Sequence, residues 1–196
     1  IPVAFTSFMA LGAYHMSKLG IITRQPQTIE NLGAVSVICL DKTGTITENK
    51  MTVKAIYAFH EGSYEMSEDL QLKENRMLLY YARLASETDP FDAMEQAITR
   101  EWQNTDAIAK DPLGPMIHEY PLQGQPPMMT HVYLDAGKKI VAAKGAPERI
   151  LKVCSLKEEI LQPLRKLIIQ MASSGYRVIA VSSATLKTGE AFPEAQ

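Results

Sequence analysis

VICLDKTGTITENK, residues 37–50, is an apolar run that stops at Asp41 and gives way to a loop rich in hydroxyl groups. Residues 35–40, VSVICL, are rich in β-branched side chains, which predicts a strand buried on both faces of a parallel sheet. In open α/β sheets, ligands bind beyond the carboxyl ends of such strands. An Asp in this position is most often a turn former, but it is also well placed to carry chemistry.

The loop after Asp41 has residue types that phosphoryl transfer needs. An Asp carboxylate can attack phosphorus and form an aspartyl-phosphate. The transferred group then requires Mg²⁺, held by carboxylate and carbonyl oxygens, and lysine or hydroxyl donors on its own oxygens. Lys42, Thr43 and Thr45 supply part of that set, and Gly44 lets the backbone turn close to a phosphate. The loop is therefore a candidate phosphoryl-transfer site, with the turn-forming interpretation of Asp41 still open.

The composition excludes some classes of protein. The 196 residues are 46% hydrophobic, which is enough to bury a core in one or two domains. The 20 basic and 22 acidic residues give a net charge of −2 and are well mixed, so nothing indicates a nucleic-acid partner. Cys39 and Cys154 match no metal-ligand spacing, and we expect Cys39 to be a small core residue in a reduced protein.

The amino-terminal stretch IPVAFTSFMALGAYHMSKLG is almost wholly apolar or small over residues 1–14. A signal peptide places its positive charge first, whereas here His15 and Lys18 come last. A complete membrane helix needs about 20 apolar residues. We therefore expect the second half of a membrane helix, with its basic end toward the cytosol, in a chain that is part of a longer protein. An amphipathic or buried helix is the alternative.

The spacing of apolar residues, together with residues typical of helix starts, predicts further helices and strands in the middle of the chain. Residues 51–59 alternate between apolar and other side chains, which predicts a half-exposed strand. Helical spacing of apolar residues predicts a helix over 75–86. A second helix is predicted to begin at Asp89 as the N-cap, with Pro90 in the first helical position and Asp92 in the first turn.

The last third of the sequence predicts a hairpin, a long helix and a final strand. The hairpin consists of strands 131–134 and 139–144 around a turn at Asp135-Ala136-Gly137. The amphipathic stretch EEILQPLRKLIIQMASSG predicts a helix that ends at Gly175, and residues 176–186 follow as a strand.

DKTGT at residues 41–45, continued by ITENKM, resembles the phosphorylation signature of the P-type ATPases, cation pumps built on a haloacid-dehalogenase-like core. The resemblance implies that Asp41 accepts the γ-phosphoryl group of ATP, with Lys42, Thr43 and Thr45 as catalytic neighbours. It also implies that Asp41 and the Thr43 carbonyl bind Mg²⁺, the other metal ligands being absent from this sequence. Related phosphatases usually have a second Asp where Thr43 stands, and threonine is a poor general base, so a long-lived phosphoenzyme is expected.

Similar motifs further along imply the ATP-binding residues. KGAPE, residues 144–148, resembles the family's adenine-pocket motif and assigns Lys144 to the pocket, with Gly145 allowing close approach. DPFDAME, residues 89–95, is similar to an acidic stretch beside the adenine, where Asp92 is the expected contact.

Two further ATP contacts are implied by the segment 120–129 and by GYRVIA, residues 175–180. Arg177 is the expected phosphate contact. Leu122 stands where the family has an aromatic residue on the adenine, which implies weaker ATP binding, unless the register differs and Tyr120 serves instead.

The resemblance implies a domain organisation and a fold class. The fold is expected to be α/β: an α+β nucleotide-binding domain, with helices on an antiparallel sheet, inserted into a Rossmann-like phosphorylation domain that contributes only its first strand here. The expected divisions are the end of a transmembrane helix, a stalk, the start of the phosphorylation domain, the nucleotide-binding domain and a connection, at residues 1–18, 19–33, 34–52, 53–190 and 191–196.

The function that this resemblance implies is ATP-driven cation transport in a membrane, with Ca²⁺ as the first guess for the cation and residues from about 19 onward in the cytoplasm. The 196 residues alone are expected to bind nucleotide weakly and not to turn over ATP. Two alternatives remain: a soluble phosphatase or phosphotransferase of the haloacid-dehalogenase type, and a non-catalytic nucleotide-binding module.

Overall fold

The chain divides into two compact units, residues 1–48 and 49–196, each of which is described by itself. The predicted domain boundaries are a finer division and stay predictions. The computed structural model describes residues 2–25, 27–60, 63–67, 73–105, 114–186 and 189. The expected connection at 191–196 lies outside these residues.

The first unit contains two helices that bury none of their described residues. The apolar start of the chain forms α1 (Pro2–Lys18), and α2 (Gln27–Gly33) follows. The carboxyl end of α1 has His15 and Lys18 in its last turn. Within the described part of the chain, none of the helices combines the length and the apolar character that crossing a membrane requires.

The strand predicted over residues 35–40 is not formed. These residues have no strand pairing, and Val37 and Ile38 are 76% and 72% exposed. Cys39, predicted as a core residue, is exposed. A parallel strand is stabilised by hydrogen bonds to neighbouring strands and by burial of both its faces. The described residues of the first unit provide neither, so the strand-like sequence forms no strand.

The second unit contains two antiparallel sheets. The smaller sheet pairs β1 (Ile56–His60) with β2 (Ser63–Ser67), so the strand predicted over 51–59 begins only at Ile56. The larger sheet has four strands in the order β3-β4-β5-β6. Its strands are β3 (Met116–Gln123), β4 (Met128–Asp135), β5 (Lys138–Gly145) and β6 (Ala180–Leu186).

The predicted hairpin is confirmed as β4 and β5. Their register pairs Asp135 with Lys138 and leaves Ala136 and Gly137 as the two turn residues. Both turn residues have positive φ, 44° and 77°, which matches the type I′ turn that suits the twist of a two-residue hairpin. The hairpin places β5 in the interior of the sheet, where its polar groups must find partners.

The described residues of the second unit also form four helices, α3 (Lys73–Leu84), α4 (Ala93–Asn104), α5 (Pro147–Val153) and α6 (Glu158–Ser173). The chain leaves α6 through Gly175, whose φ of +84° is the left-handed conformation that ends a helix, as predicted.

The N-cap predicted for α4 was placed at the wrong residue. Asp92, not Asp89, caps the helix, and its Oδ1 accepts hydrogen bonds from the backbone N–H groups of Met94 (2.9 Å) and Glu95 (3.3 Å). Both Asp residues fit the sequence rule for an N-cap. The helix begins at Ala93, and an N-cap must immediately precede the first turn to reach its free N–H groups.

The core lies on both faces of β5. Ala142 packs with Leu84 and Ala85 at the end of α3, whereas Ala143 packs with Met128 and with Ile150 of α5. Successive residues of a strand point to opposite faces, so these two clusters lie on opposite sides of the sheet. The result is a mixed α/β unit of helices around an antiparallel sheet, which confirms the predicted fold class.

Candidate functional site

The loop that begins at Asp41 folds around one carbonyl group. The backbone N–H groups of Ile46 and Thr47 donate to the Lys42 carbonyl at 3.1 and 3.0 Å, and the Thr47 hydroxyl donates to it at 3.2 Å. Gly44 has a φ of +76°, a conformation that a residue with a side chain rarely adopts. The sequence therefore folds locally into a tight turn.

This turn leaves the predicted catalytic residues open to solvent. Asp41, Lys42, Thr43 and Thr45 are all exposed. An exposed carboxylate next to a lysine and two hydroxyl groups can be reached by a phosphate donor. The arrangement is compatible with the phosphoryl-transfer prediction and does not test it.

The second candidate site centres on Lys144, which is 4% exposed in the interior strand β5. Its ammonium forms an ion pair with Glu95 of α4 and donates to the Ser86 hydroxyl at 2.7 Å. The Ser86 hydroxyl donates in turn to the Ala82 carbonyl at 2.8 Å, and Glu95 accepts from the Glu87 backbone N–H at 3.3 Å. Every polar group of this cluster has a partner, as a buried charge requires.

Burial lowers the pKa of Lys144 below its usual value of 10.5. The hydrogen bond to Glu95, and the charges of Glu95, Asp92 and Glu87, oppose that shift. Because the pKa is lower in the folded than in the unfolded chain, the unfolded chain binds more protons just below pH 10.5. The contribution of Lys144 to stability therefore rises as the pH increases toward that value.

The predicted contacts Lys144 and Asp92 lie in one electrostatic neighbourhood. The Asp92 charge acts on the Lys144 ammonium, and Asp92 also caps α4, the helix that carries Glu95. The position of Asp92 is thus accounted for by the helix cap, and an adenine contact would be additional to it.

Gly145 makes a close approach, but to the protein itself. A Cβ atom at this position would lie 2.5 Å from the Pro127 carbonyl oxygen and 2.7 Å from the Met128 Cα. The Ala146 N–H also donates to the Pro127 carbonyl at 3.0 Å. The packing of β5 on β4 is therefore a sufficient reason for glycine here, and the predicted approach to a nucleotide stays untested.

The remaining predicted contacts lie toward the same end of the large sheet. β5 ends at Gly145, which pairs with Ala180 at the start of β6, and the exposed Arg177 lies three residues before that start. Leu122, 59% exposed, lies next to the end of β3 at Gln123. Tyr120 is half-buried and its ring contacts that of His118, with centroids 4.4 Å apart.

Arg177 also borders a cavity of about 990 Å³ within the second unit. The cavity is lined mainly by apolar side chains, among them Met77, Ile98, Ile150 and Leu164. Its volume is in the range of a small-molecule site. Among the described residues, its lining includes none of Lys144, Gly145, Asp92 and Leu122, so Arg177 is the one predicted ATP contact that borders this cavity.

Sequence reasoning missed Ser86 and Glu95 as partners of Lys144. A signal was present, because a lysine within the apolar run IVAAKG has to find a buried anion if the run is an interior strand. Glu95 lies three positions before Ile98 in α4, so the two side chains share a face of the helix, and both are buried. Pairing the two would have required knowing which helix covers β5.

Comparison with known proteins supports the resemblance. No protein-family model matches the chain. Over 93% of its length the chain is 28% identical to a Methanocaldococcus jannaschii protein named as a cation-transporting ATPase, and the match covers 21% of that protein. A Dictyostelium discoideum protein named as a plasma membrane ATPase is 29% identical over 93% of the chain and 16% of its own length.

The chain thus spans about a fifth of the length of these curated relatives or less. Together with the DKTGT signature, the matches identify it as similar, along nearly its whole length, to a segment of the P-type cation-transporting ATPases.

Proposed function

We propose that this chain is the part of an ATP-driven cation transporter that carries the phosphorylated aspartate and the nucleotide-binding unit. The observation that carries the proposal is the exposed DKTGT turn at residues 41–45, in a chain similar over 93% of its length to proteins named as cation-transporting and plasma membrane ATPases. The proposed protein works in a membrane, with the residues from about 19 onward on the cytoplasmic side.

In the proposed reaction a carboxylate oxygen of Asp41 attacks the γ-phosphorus of ATP. A bond forms between that oxygen and phosphorus, the bond from phosphorus to the bridging oxygen breaks, and ADP leaves with the electron pair. Lys42, and the hydroxyl groups of Thr43 and Thr45, supply positive charge and hydrogen-bond donors to the transferred group. Thr43 is a poor general base, so water attacks the aspartyl-phosphate slowly.

The Asp41 region offers donor atoms of the class that Mg²⁺ prefers. The Asp41 carboxylate is exposed, and the Thr43 carbonyl is a second hard oxygen donor in the same turn. Mg²⁺ commonly takes only one or two protein oxygens and keeps several waters, so this set fits as a partial site. When bound, Mg²⁺ neutralises charge on the phosphate oxygens.

The nucleotide-binding unit is proposed to hold ATP at the end of the sheet where Lys144, Gly145, Leu122 and Arg177 gather. Lys144 and Asp92 act near the adenine, and Arg177 acts on a phosphate. The support is the common location of these residues and the charge interaction between Lys144 and Asp92. Because the Lys144 ammonium is already paired with Glu95, its contribution to ATP binding includes holding α4 in place.

Two alternatives are separable from this proposal. A soluble phosphatase would release phosphate without a stable phosphoenzyme, and a nucleotide-binding module would bind ATP without forming one. Ca²⁺ is the first cation to test as the transported ion. If phosphoenzyme formation requires Ca²⁺, the assignment of Ca²⁺ is supported. If it requires another cation, that cation is assigned instead.

The test uses the full-length natural protein that contains this chain. Incubation with ATP labelled at the γ-phosphorus is expected to give a protein adduct that is stable in acid and cleaved by hydroxylamine, as an acyl phosphate is. Asp41→Asn is expected to abolish the adduct, since an amide is not a nucleophile toward phosphorus.

Glu159→Gln is the matched control, because it makes the same change from carboxylate to amide at an exposed residue of the second unit that is not assigned to ATP binding. It is expected to retain the adduct. An adduct that persists in Asp41→Asn overturns the proposed mechanism, and a protein that never forms one leaves the nucleotide-binding alternative in its place.

A further inference from the structure

His131 has a buried ring nitrogen without a hydrogen-bond partner. The residue is 2% exposed in β4, and its Nδ1 lies 2.8 Å from the Leu84 carbonyl oxygen. A carbonyl oxygen only accepts, so Nδ1 must carry the proton, and in the neutral ring the lone pair is on Nε2. Nε2 is buried and unpartnered. A buried acceptor of this kind requires an explanation, and a role as a metal ligand is one.

Two carboxylates lie beside this imidazole. Glu119 of β3 is paired directly opposite His131 across the sheet, so their side chains share a face. Glu87 follows the end of α3, the helix whose Leu84 carbonyl holds the imidazole. One carboxylate oxygen from each Glu and one ring nitrogen of His131 all lie within 4.8 Å of one another.

We propose that Glu87, Glu119 and His131 bind a divalent transition-metal ion such as Zn²⁺. Imidazole nitrogen combined with carboxylate oxygen suits Zn²⁺ and its neighbours in the first transition row, whereas Mg²⁺ and Ca²⁺ prefer oxygen alone. The hydrogen bond from Nδ1 to a carbonyl is the usual contact that orients a metal-binding histidine. Three protein ligands leave a fourth position for water.

The three ligand atoms need to move only slightly closer together to bind one ion. Metal–ligand bonds of about 2.0–2.2 Å place the ligand atoms of a tetrahedral ion about 3.3–3.6 Å apart. Both Glu side chains are exposed and can rotate toward the fixed imidazole. The ion would lie at the boundary between the buried ring and solvent, where the two carboxylates offset its charge.

The three ligands come from separate parts of the chain and meet only when the second unit is folded. An ion that binds them therefore binds the folded state alone and raises the temperature of unfolding. None of its residues is assigned to the proposed phosphoryl transfer, so the two proposals can fail separately.

The test is a Zn²⁺ and Co²⁺ titration of the 196-residue chain with Cys39 and Cys154 both changed to Ser, because the two thiols are exposed and would bind these ions themselves. Zn²⁺ affinity is measured by competition with a chromogenic chelator, and Co²⁺ coordination by its visible absorption. We expect one equivalent to bind and to raise the unfolding temperature.

The variants Glu87→Gln, Glu119→Gln and His131→Asn are each expected to weaken Zn²⁺ binding at least tenfold. His131→Asn keeps an N–H near the position of Nδ1 for the Leu84 carbonyl and removes Nε2. Asp89→Asn, an exposed carboxylate in the same connection as Glu87, is the control and should bind as the parent does.

Absence of saturable binding in the parent overturns the proposal. So does equal affinity in the parent and in both glutamine variants, which are exposed changes that should not impair folding. If His131→Asn fails to fold, the two glutamine variants decide the outcome.

Discussion

Asp41 and Lys144, the candidate residues of the two units, have opposite surroundings. Asp41 is exposed in a turn built on the carbonyl of its neighbour Lys42. Lys144 is 4% exposed and is held by Ser86 and Glu95, which lie 58 and 49 positions away in the sequence. The first site is formed by residues that are neighbours in the sequence. The second site depends on the packing of a helix against a sheet. Substitutions should therefore affect the stability of the two units very differently.

The largest expected effect is that of Lys144→Ala. Removing one partner of a buried ion pair leaves Glu95 as an unpaired buried carboxylate, which should lower the free energy of unfolding by about 3–5 kcal/mol. Urea unfolding followed by the fluorescence of Trp102, the single tryptophan and a residue of α4, measures it.

Lys138→Ala, at an exposed position of the same strand, is the control for Lys144→Ala and should change the free energy by no more than about 0.5 kcal/mol. The double variant Lys144→Met with Glu95→Leu should recover most of the loss, because no charge is left buried. Equal unfolding curves for Lys144→Ala and Lys138→Ala would show that Lys144 is not buried in solution.

A second substitution pair compares apolar residues of the two units. Leu79→Ala, at a position 2% exposed in α3, should lower the free energy of unfolding by about 2–5 kcal/mol. Ile38→Ala, at a position 72% exposed, should change it by no more than about 0.5 kcal/mol. Far-ultraviolet circular dichroism during urea unfolding follows both. If Ile38→Ala lowered the free energy of unfolding as much as Leu79→Ala does, Ile38 could not be exposed, and the prediction of a buried strand at residues 35–40 would be correct.

The smallest expected effect tests the helix cap in the second unit. Asp92→Ala removes the acceptor for two N–H groups of α4 and should cost about 0.5–2 kcal/mol of stability. Asp89→Ala should cost a few tenths of a kcal/mol at most, because Asp89 does not cap the helix. Thermal unfolding of the two variants side by side measures the difference. If Asp89→Ala were less stable than Asp92→Ala, Asp89 would be the N-cap of α4.

The elements that the sequence predicted well are those with local causes. The β4–β5 hairpin follows from a two-residue turn with glycine, and the end of α6 follows from Gly175. The turn at Asp41 was likewise recognisable, because its residues are consecutive. In each case the residues that determine the structure are neighbours in the chain.

The larger errors concern contacts between distant residues, whereas the misplaced N-cap of α4 is a local error. Residues 35–40 have the composition of a buried strand, but burial depends on neighbouring strands that composition cannot supply. The partners of Lys144 and the meeting of Glu87, Glu119 and His131 depend on how helices and strands pack, which periodicity does not specify.

The connection after α3 has one further consequence. Leu84 holds the His131 ring through its carbonyl, Ser86 holds the Lys144 ammonium, and the Glu87 amide holds Glu95. A cation captured by the Glu87 carboxylate would thus alter the field at Lys144 without touching it. By thermodynamic reciprocity, zinc would then change the affinity for ATP by the same factor as ATP changes the affinity for zinc.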